Sequence, residues 1–146
     1  MQPTPGSVTN QGLDEEYRAL LQQALKAREF SYSPYSGYKV GAALRTRSGK
    51  IFAGCNIENA GYTPSVCAER TALFKAVSEG EREFEAIAVV TANGGAPCGV
   101  CRQVIREFAA PDLAIIIGDI HGHYEVLNLA ELLPRSFGPE NLPRLS

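Results

Sequence analysis

The chain has 146 residues, with 14 basic and 16 acidic side chains and a net charge of −2 at pH 7. Hydrophobic residues are 45% and charged residues 21%, ordinary globular values that exclude a disordered tail, a coiled coil and a collagen-like fibre. The charge balance offers no footprint for gripping a polynucleotide backbone, and no stretch approaches the roughly 20 apolar residues that span a bilayer. Residues 1–12 are polar, hold two prolines and read as a disordered leader. They carry no positive n-region and no apolar h-region, so no signal peptide is expected and a cytoplasmic location is the default. Residues 13–146 read as a single domain.

From Leu13 to Phe30, apolar Leu13, Tyr17, Leu20, Leu21, Ala24, Leu25 and Ala27 recur with a helical period, and Asp14-Glu15-Glu16 suits the helix start. The Ser33-Pro34-Tyr35-Ser36-Gly37 segment breaks the pattern and reads as a loop. Tyr38 to Arg47 and Lys50 to Ile57 read as two strands joined at Ser48-Gly49. After a loop, Cys67 to Glu79 is helical, with Gly80 where a C-terminal cap belongs. Phe84 to Ala92 is a strand bounded by Asn93-Gly94-Gly95, and Cys98 to Phe108 is a helix preceded by Pro97. Leu113 to Ile117 reads as a buried strand and His123 to Leu129 as a last one, followed by a helical turn at Ala130 to Leu133. A strand–helix–strand crossover implies parallel neighbours and hairpins imply antiparallel ones. The expected fold is α/β: one mixed five-stranded sheet with helices on its faces, a three-layer α/β/α domain.

Four cysteines remain, Cys55, Cys67, Cys98 and Cys101. In a reducing compartment such a set points to metal binding or catalysis rather than disulfides. Cys67-Ala68-Glu69 opens one predicted helix and Pro97-Cys98-Gly99-Val100-Cys101 opens another. Helix N-termini favour negative charge and so hold thiolates. Three thiolates on Zn²⁺ leave the fourth tetrahedral position open, the arrangement of a catalytic site. Glu69 can reach that open position as a proton carrier. Arg70, three residues after Cys67 on the same helical face, can withdraw charge from a site in which three thiolates outweigh one zinc.

These segments resemble a known family. Cys67-Ala68-Glu69 with Pro97-Cys98-Gly99-Val100-Cys101 is similar to the zinc nucleoside and nucleobase deaminase signature. Gly54-Cys55-Asn56-Ile57-Glu58-Asn59-Ala60, Cys67-Ala68-Glu69-Arg70-Thr71-Ala72, Cys101-Arg102-Gln103-Val104 and Glu131-Leu132-Leu133-Pro134 resemble the short cytidine deaminases, from about Leu20 to Leu142. The resemblance implies deamination of free cytidine and 2′-deoxycytidine, in pyrimidine salvage, with one Zn²⁺ per chain. It implies Cys67, Cys98 and Cys101 as zinc ligands, and Glu69 as the catalytic group carrying protons to ring N3 and to the leaving amine. Asn56 and Glu58 would bind the ribose 3′-hydroxyl, and Tyr38 stands where the family often carries Phe beside the sugar. Phe137 would stack on the base of a neighbouring subunit in a homotetramer. The expected partner is a small nucleoside, with no nucleic acid polymer and no membrane.

Plainer readings compete. A C-x-x-C opening a helix is also a redox dithiol, but Cys67 and Glu69 have no place in that chemistry. All four cysteines would make a closed structural zinc site, leaving Glu69 without a role. Phe137 followed by Gly138-Pro139 is ordinarily an anchor in the chain's own core. Arg102 and Arg106 read as a solvated helix face, and His121 and His123 as exposed turn residues.

Overall fold

The computed structural model describes residues 11–143. The elements follow the chain as α1 (Gln11–Arg28), β1 (Gly41–Thr46), β2 (Ile51–Cys55), α2 (Ala68–Ser78), β3 (Phe84–Thr91), α3 (Gly99–Phe108), β4 (Ala114–Asp119), β5 (Tyr124–Asn128) and α4 (Leu129–Leu132), closing on a 3-10 turn at Pro139–Asn141. The expected mixed five-stranded sheet is present, in the order β2-β1-β3-β4-β5. Only β3 and β4 pair in parallel; the other neighbours are antiparallel. Among the described residues no helix is long and apolar enough to cross a membrane.

The alternation of each strand splits the core into two layers. On one face Leu20 and Ala24 of α1 pack on Ala43, Ala88, Val90 and Ile116. On the other, Ala72 and Leu73 of α2 and Ile105 of α3 pack on Leu44, Ile87, Ile115 and Ile117. Helices on both faces make the three-layer α/β/α arrangement. Small residues let α2 lie close to the sheet: a Cβ on Gly54 would stand 2.7 Å from the Ala72 nitrogen and 2.8 Å from the Thr71 Cβ. That closeness sets the position of Cys67, one residue before α2.

Two boundaries differ from the sequence reading. The leader expected through residue 12 gives way sooner to helix, since Gln11 and Gly12 already belong to α1; residues 1–10 lie outside the described residues. The first hairpin is shorter than expected at the end away from its turn, because the backbone there finds other partners. The Ile57 nitrogen donates to the Val66 carbonyl at 2.9 Å, and the Glu58 nitrogen to the Tyr32 carbonyl at 2.8 Å. The Asn56 nitrogen still donates to the Val40 carbonyl at 3.3 Å, while Ile57 and Glu58 leave the sheet and join its end to the loops around it.

Candidate active site

The strand directions place the site. β2 is antiparallel to β1 and β1 to β3, so β2, β3 and β4 all point one way. The C-terminal ends of β2 and β3 meet the start of β1 at one rim of the sheet, where open α/β sheets generally bind ligands. A cleft of about 320 Å³ opens there, at the small end of the range for ligand pockets. Its lining joins Tyr38 before β1, Asn56 and Glu58 after β2, Cys67 and Glu69 at the start of α2, and Cys98 before α3.

Cys67 and Cys98 are the residues that immediately precede α2 and α3, both in extended conformation with no capping bond from the side chain. Each sulfur therefore sits at a helix N-terminus, where the exposed N–H groups and the helix dipole favour a thiolate. Cys101, in the first turn of α3, is fully buried. The Cys67 and Cys98 sulfurs are 3.7 Å apart and those of Cys98 and Cys101 3.5 Å. All three lie within 4.8 Å of one another, and no other such cluster of metal-ligating side chains occurs among the described residues. Tetrahedral zinc with Zn–S bonds of about 2.3 Å needs sulfurs about 3.8 Å apart, so this donor set fits the ion by spacing and by chemistry. Cys55 stands outside the cluster, against Phe30, Thr71 and Lys75 on another surface, which argues against a closed four-cysteine site.

The thiols are coupled to one another and to Arg70 through hydrogen bonds. Thiol hydrogen bonds from Cys101 and Cys98, and the Arg70 guanidinium, pull the Cys67 thiol down to about 5. The hydrogen bond to Cys67 above all, with burial, pushes the Cys101 thiol upward. The Nη2 of Arg70 donates to the Cys67 sulfur at 3.4 Å, while its buried Nε has no hydrogen-bond partner in the structure. Glu69 is only 4% exposed, and burial raises its carboxyl to about 7, inside the range useful for proton transfer near neutrality.

At the other end of the cleft, Asn56 and Glu58 hold its walls. The Asn56 Oδ1 accepts from the Val40 nitrogen at 3.0 Å and from the Ser31 hydroxyl, and its Nδ2 donates to the Tyr38 carbonyl at 2.8 Å. The Glu58 carboxylate accepts from the Tyr35 and Ser36 nitrogens at 2.9 and 3.1 Å and from the Ser36 hydroxyl. The hydroxyl bond above all, with the two N–H groups, stabilises the charged form and holds the carboxyl below the ordinary carboxylate range. The Ser33–Gly37 break in the sequence is the turn that presents these N–H groups to Glu58.

The structure does not bring Phe137 into this cleft. Its ring is 57% exposed, so it is no core anchor of its own chain. It borders a separate surface groove with Gln103 and Leu142, and its carbonyl accepts from the Gln103 Nε2 at 2.9 Å. Arg102 and Arg106 correct the solvated-face reading. Arg102 donates to the Pro97 and Leu132 carbonyls, both at 2.7 Å. Arg106 donates to Ser136 Oγ at 2.8 Å and pairs with Glu140. Sequence reasoning also misses Thr91, Gly95 and Ala96, which line the cleft from the end of β3 and the loop after it. The glycine pair at that loop is its one visible signal.

Comparison with known proteins agrees with this geometry. The family described as "Cytidine and deoxycytidylate deaminase zinc-binding region" matches residues 14–117. The cytidine deaminase of Sporosarcina psychrophila is 49% identical over 84% of this chain and 92% of its own, and that of Halalkalibacterium halodurans is 47% identical over 84% and 95%. The crystal structure of cytidine deaminase from Burkholderia pseudomallei superposes with a TM-score of 0.79 at 51% identity, covering 82% of this chain and 97% of that one. The chain belongs to the zinc-binding cytidine and deoxycytidylate deaminase family. Members of that family are hydrolytic deaminases, and the three-cysteine cluster is consistent with one Zn²⁺ per chain.

Proposed function

We propose that the protein hydrolyses free cytidine and 2′-deoxycytidine to uridine and 2′-deoxyuridine, releasing ammonia, in pyrimidine salvage. The observation that carries this reading is a buried Glu69 beside three thiols at the inner end of a nucleoside-sized cleft. Cys67, Cys98 and Cys101 hold the metal. Bound zinc supplies a Lewis acid that makes water a competent nucleophile near neutral pH. Water oxygen adds to C4 of the cytosine ring and the exocyclic amine leaves as ammonia. Glu69 takes one proton from the water and delivers it to ring N3, then takes the second from the hydroxyl now on C4 and passes it to the departing amine. Burial raises its carboxyl to about 7, which suits a group that must both accept and return a proton. Arg70 draws charge from Cys67 and keeps the thiolate set from weakening the metal.

The sugar belongs at the end of the cleft that holds Asn56, Glu58 and the Tyr38 ring. The Asn56 amide has a second N–H for a ribose oxygen, and the Glu58 carboxylate retains acceptor capacity for the 3′-hydroxyl. A phosphate at that position would meet a carboxylate, which favours a free nucleoside over a polynucleotide. Phe137 completes the site of a neighbouring subunit in a homotetramer; its exposed ring on a held backbone supports that reading. A cytoplasmic location suits four cysteines that are all free thiols.

Turnover on a panel of cytosine nucleosides, nucleotides and other aminopyrimidine nucleosides, with zinc quantified in the same sample, tests this. Cytidine and deoxycytidine should be converted and their 3′-phosphates left intact. Conversion of another aminopyrimidine nucleoside, with cytidine untouched, would displace the proposed substrate.

A further inference from the structure

The two ends of the cleft are joined by one side chain. The Tyr38 hydroxyl donates to the Asn93 Oδ1 at 2.8 Å, from the lead-in to β1 to the loop between β3 and α3. The same Asn93 oxygen accepts from the Thr91 hydroxyl at 3.3 Å, and Thr91 Oγ1 accepts from the Gly95 nitrogen at 2.8 Å. Thr91 is 2% exposed, so this chain of bonds is anchored in the core. Gly95 and Ala96 form the cleft wall just ahead of Pro97 and Cys98. On the opposite side, the Tyr38 carbonyl accepts from Asn56, and its nitrogen donates to the Ser36 hydroxyl that also holds Glu58.

We propose that Tyr38 is a positioning residue, whose hydroxyl latches the sugar end of the cleft to the Asn93–Ala96 wall and fixes the cleft's width for the nucleoside. This rests on the deaminase reading above. A phenylalanine in this place would keep the ring and lose the latch. Gly95 is part of the device: a Cβ there would stand 2.5 Å from the Tyr38 hydroxyl oxygen. The close approach leaves no room for a side chain while the latch is closed. The relay from the Gly95 N–H through the Thr91 hydroxyl to Asn93 is polarised along its length, and the Tyr38 hydroxyl holds the Asn93 amide at its end, so losing that hold loosens the relay.

The test compares Tyr38→Phe, Gly95→Ala and the double variant, as zinc-loaded full chains. Two quantities are read: steady-state kinetics on cytidine, and amide exchange over residues 92–96. Each single change should raise KM roughly 2–10-fold, the effect of about one hydrogen bond, with a smaller change in kcat. Each should also speed exchange of the Gly95 amide. Gly95→Ala should add little in the Tyr38→Phe background, because the atom it would strike has gone. Wild-type KM and exchange in Tyr38→Phe, or an undiminished effect of Gly95→Ala in that background, would overturn the latch. If the unaltered protein leaves cytidine intact, the deaminase reading fails, while the exchange comparison still decides the latch.

Discussion

Cys67 and Cys98 each end an extended segment and begin a helix, so their sulfurs meet at two helix N-termini without strain on either backbone. This is legible from C-A-E and P-C-x-x-C alone, because a helix start is a local property. Zinc content of single alanine variants should follow the assignment: Cys67→Ala, Cys98→Ala and Cys101→Ala each lose most of about one zinc per chain, and Cys55→Ala keeps it. Loss in the Cys55 variant would contradict the separation of that thiol from the cluster. Arg70→Gln removes the donor to the Cys67 sulfur. It should weaken zinc retention or turnover roughly 10–100-fold, the usual effect of removing a group that supports a metal ligand. Competition with a chromophoric chelator measures the retention directly. An unchanged affinity and rate would leave the helix ends to balance the thiolates alone.

At the scale of elements, α3 serves both the site and the C-terminal segment. Its first turn and the residue before it carry two of the three sulfurs, and its outer face holds the C-terminal segment through Arg102, Gln103 and Arg106. Helical periodicity gives such arginines to solvent, since nothing local identifies their partners, which lie some 30 residues further along the chain. The Asn56 and Glu58 positions show the same limit: pattern puts them on a strand end, while pairing with Tyr32 and Val66 takes the backbone out of the sheet. The sheet itself is legible because its alternation and its apolar Ile115-Ile116-Ile117 run depend on burial, which composition reports. The Arg106 side chain is 12% exposed and paired with Glu140. Arg106→Ala should therefore cost about 1–2 kcal/mol and lower Tm by roughly 2–8 °C in thermal unfolding. A Tm within a degree of the parent would restore the solvated reading.

For the molecule as a whole, a half-exposed Phe137 and an open cleft are two unfinished surfaces of one chain. Under the proposed assembly each finishes the other across a subunit boundary, where a stacked aromatic contributes roughly 1–3 kcal/mol per base. Glu69→Ala chains should be inactive and Phe137→Ala chains weakened. Refolded together, they should form some sites with both native residues and exceed the sum of the separate activities. Additive activity, in mixed oligomers verified by native mass spectrometry, would mean that each chain builds its site alone. Sequence periodicity carries no information on such a boundary; the signal for Phe137 comes from its resemblance to the family's C-terminal segment.

The proposed chemistry turns on one proton carrier beside the metal cluster. Glu69→Gln keeps the shape of that side chain and removes its ability to carry a proton. The most direct measurement is ammonia release from cytidine by zinc-loaded Glu69→Gln protein, with nucleoside binding verified in the same preparation. The predicted result is retained zinc, retained binding and a rate lowered by roughly 10²–10⁴-fold. Near-normal ammonia release from the zinc-loaded variant would contradict the account.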